Sequence, residues 1–270
     1  MNQQHQTSSP QLRLGSVSFL NPVPLVWGML HGPQRERVDL SFSIPSVCAE
    51  ELEQGKIELG LVPVAEAVRQ DLEIVPGVGI SCLGAVRSIL LFSRVPWREV
   101  RTLAADLSSR TSVQLARVIL RERFGAEPEE VRQYPPDLQR MLAAADAALI
   151  IGDPALRIEP MEQPYNWLDL GEEWWKLTNL PMVFAAWAGK HGLDIDDIEP
   201  ITTGSYQFGK SRINEIVEQE YQRRGITKEL ATQYLTRYIR YELGANEQQG
   251  LETFIELARL VPTPAGSVRS

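Results

Sequence analysis

The sequence predicts an α/β protein of two lobes with a ligand cleft between them. Three observations carry this reading. Strand and helix patterns alternate three times between Leu12 and about Ala67. A long extended stretch rich in glycine and β-branched residues then breaks the alternation, and a second strand–helix block follows before a helical tail. Alternation implies parallel strands joined by right-handed crossovers, and ligand sites favour the interface between such lobes.

The first element is "RLGSVSFL", a strand running to Leu20. Asn21 and Pro22 follow, a favoured N-cap and a favoured first helical residue, so a helix is expected over 22–30, with Gly32 as its C′ stop. Asn21 also stands at the carboxyl end of a parallel strand, where open α/β sheets bind ligands. "VDLSFSI" is the second strand, leading into a helix from about Pro45 whose first turn Ser46, Glu50 and Glu51 favour, closed by Gly55. "IELGLVPV" is a short buried strand. Leu72 to Pro96 reads as strands leaving one sheet and entering another. "VRTLAADLSS" is a strand and "RTSVQLARVILRERFG" a helix, with Val113, Ala116, Leu120 and Phe124 on one face and Gly125 at C′. After a short helix, "PDLQRMLAA", the apolar run of "ADAALIIGDPAL" suits a parallel strand covered on both faces and ending at Gly152. "LPMVFAAWAG" is the last strand, and everything after about Ile213 reads as helical, with "GL" and "NEQQG" as turns.

Composition narrows the function classes. The chain has 270 residues, 43% hydrophobic and 23% charged, which suits one large domain or two ordinary ones. It has no apolar run of about 18 residues, so a transmembrane helix and a membrane partner are not expected. "MNQQHQTSSPQ", residues 1–11, lacks a basic stretch and an apolar core and is expected to be a disordered lead-in, not a signal peptide. Cys48 and Cys82 form no CxxC pair, which argues against a zinc site or disulfide framework and for the reducing cytoplasm. The net charge is −8 with no basic stripe, which excludes nucleic acid as a partner; an anionic substrate would have to be drawn by local donors.

The most informative segment is "DLSSRTSVQL". Ser108, Ser109, Thr111 and Ser112 crowd a strand end and a helix start, where capping needs only one hydroxyl. The surplus, with the free N–H groups of a helix N-terminus, suits a carboxylate or phosphate. Arg110 either adds charge there or lies in solvent. Asn21 reads as a cap or a ligand contact, Ser88 as a strand serine satisfying backbone or a site donor, and Arg87 as an exposed residue or a carboxylate clamp. Asp153 and Glu66 read equally as caps or as site acids. The histidines, His5, His31 and His191, stand away from the predicted strand ends, so neither a Ser–His–Asp nor a Cys–His system is expected. There is no GxGxxG after a strand and no GxxxxGK[ST]. A reaction needing neither metal nor cofactor, or plain binding, remains.

Taken together, "FLNPVPL" at Phe19–Leu25, "GKIELGLVPVAE" at Gly55–Glu66, "VRSILLFSRVP" at Val86–Pro96, "SSRTSVQLARVIL" at Ser108–Leu120, "ADAALIIGDPAL" at Ala145–Leu156 and "LDLGEEWWKLTNLPMVFAAWA" at Leu168–Ala188 resemble the chorismate dehydratase family of the futalosine route to menaquinone. The resemblance spans nearly the whole chain after the lead-in. One departure is that Asn179 and Met182 stand where the family usually has glycine and phenylalanine.

The resemblance implies a type II periplasmic-binding-protein-like architecture, with lobe 1 formed by residues 12–92 and 182–270 and lobe 2 by 93–181. It implies removal of water from chorismate to give 3-[(1-carboxyvinyl)oxy]benzoate, with no metal or organic cofactor, by a monomer or homodimer. It points to Asn21 as catalytic, hydrogen-bonding the leaving hydroxyl or the ether arm. Ser109, Arg110, Thr111 and Ser112 would bind a carboxylate, assisted by Ser88, with Phe19, Gly152 and Asp153 lining the site. The proton acceptor is expected to be the substrate's own side-chain carboxylate, with Asp153 or Glu66 as the competing bases. Two alternatives share the fold: a cytosolic small-anion binding protein, and the sister 1,4-dihydroxy-6-naphthoate synthase. The latter family opens with a "SPCPNDT"-like segment and relies on a histidine, where this chain has "SVSFLNPVPL".

Overall fold

The computed structural model describes residues 11–106 and 109–261. Ser108, and all of the lead-in except Gln11, lie outside the described residues. In order, the chain forms β1 (Leu12–Val17), α1 (Val23–His31), β2 (Val38–Ser43), α2 (Pro45–Glu53), β3 (Leu59–Pro63), α3 (Val64–Arg69) and β4 (Glu73–Cys82). Next come β5 (Ile89–Ser93), β6 (Thr102–Asp106), α4 (Thr111–Phe124), β7 (Glu130–Tyr134), α5 (Leu138–Ala144), β8 (Ala147–Ile151), α6 (Gly152–Leu156), β9 (Asn166–Asp169) and α7 (Leu170–Thr178). It ends with β10 (Met182–Gly189), α8 (Ile195–Lys210), α9 (Ile213–Arg224), α10 (Lys228–Gln233), a π-helical turn at Tyr234–Tyr238, β11 (Arg240–Leu243) and α11 (Ala245–Arg259).

Two sheets result. The first has strand order β11-β4-β10-β3-β1-β2, the second β7-β6-β8-β5-β9. β1 runs parallel to both β2 and β3, and β6 parallel to both β7 and β8, so each sheet has a parallel block whose carboxyl ends point one way. β10 and β5 run antiparallel to their neighbours and complete the sheets. All five residues of β3, β5 and β8 are buried, as expected for strands covered on both faces. Among the described residues no helix is long and apolar enough to cross a membrane.

The structure corrects several expectations. The first crossing between lobes lies at 83–88, not after Phe92: β5 pairs with β8 through Ile89↔Ile151 and with β9 through Leu90↔Asp169. An apolar strand carries no mark of which sheet it joins; its pairing decides. The tail is not wholly helical, because β11 adds to the edge of the first sheet beside β4, and "NEQQG" lies inside α11. Glu50 and Glu51 fall late in α2, whose first turn has no acid. Gly32 ends α1 in extended backbone (φ −124°), whereas Gly125 closes α4 at φ +65° as its position predicts. α4 buries more than one face, since Thr111, Leu115, Val118 and Ile119 are covered as well. It packs against α7, α3 and α11.

Asn179 occupies the left-handed C-cap of α7 (φ +58°). Asparagine is the best substitute for glycine there, which accounts for its presence at that position.

One carboxylate holds the crossing at 83–88. Asp169 caps α7 through the N–H groups of Gly171 and Glu172, and also accepts from Val86 and Arg87 in the crossing, at 2.6–3.1 Å. Burial pushes its carboxyl up from the ordinary aspartate range, and these backbone donors pull it back. The tail also ties onto α4. In α11 the carbonyl of Ala258 accepts from Gln114 of α4 at 3.3 Å, and Leu260 accepts from Arg121.

Candidate active site

The parallel carboxyl ends of both sheets face one cavity that opens to solvent. Most of its wall is apolar, from Val17, Leu61, Ile80, Ile89, Ile151 and Phe184. Polar atoms enter from three places: Asn21 after β1, Ser88 at the end of the crossing, and Ser109–Ser112 at the start of α4. An apolar cleft with a few convergent polar groups is the usual form of a small-molecule site.

Of the residues anticipated from sequence, Phe19, Asn21, Ser88, Ser109, Arg110, Thr111, Ser112 and Gly152 all line the cavity. Asn21 does not cap α1: the N-cap position is Pro22, and no side chain bonds the helix start. Its Oδ1 is instead buried with no hydrogen-bond partner among the described residues. The hydroxyls near α4 do not cap it either. The N-cap is Arg110, with no side-chain bond, and Ser109 Oγ is likewise buried and unpartnered. Leaving a buried polar atom unsatisfied costs about 1–3 kcal/mol, so at a cavity wall these two atoms are suited to pairing with a ligand's polar groups.

Thr111 has a different task. Its Oγ1 accepts from the Ala65 N–H and donates to the Phe184 carbonyl, both at 3.2 Å, tying α4 of one lobe to α3 and β10 of the other. Arg110 sits at the rim, its side chain 40% exposed and its Nε 3.9 Å from Glu66 Oε1. Glu66 is turned toward arginines, accepting from Arg69 Nε at 2.8 Å, and does not line the cavity. Arg87, at φ +65°, points away, donating to the Ala155 and Ile158 carbonyls.

Asp153 is the main correction. It is buried but absent from the cavity wall. Oδ1 accepts from the Leu20 N–H at 3.0 Å and Oδ2 from Arg224 Nη1 at 2.9 Å, so the carboxylate is engaged behind the wall. Gly152 beside it needs its glycine: at φ +64°, a Cβ there would meet the Phe19 ring at 2.9 Å.

Sequence reasoning missed Tyr234. Its hydroxyl, fully buried in the π-helical turn, donates to Ser88 Oγ at 2.8 Å. Burial holds the phenol far above its ordinary range, so it is a neutral donor, and the Ser88 proton is left free for the cavity. The only local signal was a serine needing a partner within an apolar stretch; the partner lies 146 residues further on. Arg224 was missed for the same reason.

A family model described as menaquinone biosynthesis matches residues 12–260. The chorismate dehydratase of Thermus thermophilus is 28% identical over 269 residues, spanning 93% of this chain and 96% of its own. A crystal structure from Archaeoglobus fulgidus superposes with a TM-score of 0.74 at 15% identity, over 95% of this chain and 98% of that one. The periplasmic aliphatic sulphonate binding protein SsuA of Escherichia coli gives 0.60 at 18% identity, over 95% and 90%. These two likenesses show the architecture alone: two lobes of the periplasmic-binding-protein type.

Proposed function

The chain belongs to the menaquinone-biosynthesis family matched over residues 12–260, and on that premise we propose that it is a cytoplasmic chorismate dehydratase, removing water to give 3-[(1-carboxyvinyl)oxy]benzoate. The observation that carries the chemical reading is the character of the cavity wall. Among the described residues it holds hydroxyls, an amide and one arginine, but no carboxylate and no histidine.

Chorismate suits such a wall. The C–H of the ring carbon bearing the enolpyruvyl ether is vinylogous to the ring carboxylate, so losing that proton spreads negative charge onto the carboxylate. The electron pair then forms the third ring double bond as the C–OH bond on the adjacent ring carbon breaks, and the hydroxyl leaves as water with the proton, the ether staying in place. Aromatisation drives this step. The protein's task is to stabilise the carboxylate charge and hold the side arm.

The uncapped start of α4 supplies N–H groups and the Ser109 and Ser112 hydroxyls to the ring carboxylate, and Ser88 donates from the crossing. Asn21 hydrogen-bonds the leaving hydroxyl or ether arm. The proton goes to the substrate's own enolpyruvyl carboxylate, held close enough for proximity to replace a protein base. Asp153 and Glu66 are poor candidates for that base, because both carboxylates are bonded to arginines away from the wall.

The test is to incubate the purified protein with chorismate and follow products by chromatography with mass detection. Loss of one water supports the reading. Unchanged chorismate with folded protein overturns it in favour of a small-anion binding role.

A further inference from the structure

Behind the cavity wall lies a polar cluster that the reaction does not use. Arg224, the last residue of α9, directs Nη1 at two acceptors: Asp153 Oδ2 at 2.9 Å and the Ser18 carbonyl at 2.5 Å. Its Nε and Nη2 are held by Glu220 at 2.8 and 2.6 Å, which fixes the guanidinium plane. Asp153 accepts from the Leu20 N–H with its other oxygen. Ser18 and Leu20 therefore both bond to this pair, one through its carbonyl and one through its N–H. Between them the Phe19 ring packs against Gly152.

These bonds cross the lobes. Asp153 belongs to α6 and the second sheet's lobe, while Ser18, Leu20 and Arg224 belong to the other. Arg157, just after α6, adds a second crossing by donating to the Arg224 carbonyl at 3.1 Å. The held segment ends one residue before Asn21, whose Oδ1 has no partner of its own and whose helix has no side-chain cap. The backbone at Leu20 is thus what aims the Asn21 amide into the cavity.

We propose that Asp153 and Arg224 are positioning residues: a clasp that sets Asn21 in place only when the two lobes are together, coupling closure to assembly of the site. The catalytic half of this rests on the chorismate reading above. The geometric half does not.

The test uses Asp153→Ala, Asp153→Asn and Arg224→Met in the full chain, with turnover of chorismate and amide hydrogen exchange of the free protein. Misplacing a reacting contact by about 1 Å costs on the order of 100-fold. Asp153→Ala and Arg224→Met are expected to lower kcat by about that factor, with KM changed less than about threefold because the α4 donors are untouched. Asp153→Asn, which keeps an acceptor for Leu20, is expected to fall between them and wild type. Exchange at Leu20 and Asn21 is expected to quicken while β1 stays protected.

Equal inactivation by Asp153→Ala and Asp153→Asn, with Arg224→Met fully active, would make Asp153 a base and overturn the clasp. So would unchanged exchange at Leu20, or loss of β1 protection in step with activity, which would mean a purely structural role. Wild-type protein inert toward chorismate would fail the functional reading while exchange at Leu20 still decided the clasp.

Discussion

The helices that begin at the cavity and those that begin elsewhere treat their first turns differently. α1, α2, α3, α4 and α6 all start against the cavity wall, and none has a side-chain cap. α5, α7, α8 and α10 start elsewhere, and each is capped by its own Asp or Thr: Asp137, Asp169, Asp194 and Thr227. α9 and α11 also begin elsewhere, at Arg212 and Gly244, with no N-cap side chain on the helix start, so the pattern is not universal. The contrast is sharpest at α1 and α4, where Asn21, Ser109 and Ser112 are cap-type residues standing beside uncapped starts. The side chains suited to capping line the cavity instead, and at α4 the first turn is left without a capping side chain.

Substitutions can break this comparison, beginning with the largest effect. Asn21→Ala is expected to lower kcat/KM for chorismate about 100- to 1,000-fold, as loss of a charge-stabilising donor does. It should cost less than about 0.5 kcal/mol in a urea melt, because no cap is lost. A cap would behave the opposite way, losing about 1 kcal/mol of stability with activity intact.

Asp169→Ala strands buried N–H groups of both α7 and the crossing and is expected to cost about 3 kcal/mol or more by urea unfolding. Tyr234→Phe removes only the bond to Ser88 and should reduce kcat/KM about tenfold, about 1.4 kcal/mol in the barrier, and cost about 1 kcal/mol by urea unfolding. Asp137→Ala, at a capped helix start away from the cavity, should lose about 1 kcal/mol of stability and leave turnover untouched. If Asp137→Ala slowed turnover, or Asn21→Ala destabilised the fold, the two classes of helix start would not be distinct.

Much of the site was legible because it sits at strand-to-helix junctions, which leave strong local marks. "FLNPVPL" and "SSRTSVQL" announce a strand end, a cap-type cluster and a helix start, and both line the cavity. The bland reading of those marks, capping, failed because a cap requires the side chain to turn back on its own helix. At Asn21 and Ser109 packing points the side chain the other way. Asp153 failed in the opposite sense. Its motif, "IIGDPAL", places a carboxylate beside the cavity, but whether it faces the substrate or the back of the wall depends on Arg224, 71 residues away.

The sequence by itself determined the α/β class, the parallel block β1–β3, the βα unit ending at Gly125, the two-lobe architecture and the junction residues that line the cavity. These follow from periodicity and junction chemistry, which act over a few residues. Only the tertiary structure decided that β5 belongs to the second sheet, that β11 returns to the edge of the first, and that Tyr234 and Arg224 stand behind Ser88 and Asp153. Strand pairing and polar bonds join residues 54 to 206 positions apart. Their energy depends on which groups are brought together out of water, and a local pattern carries no record of its distant partner.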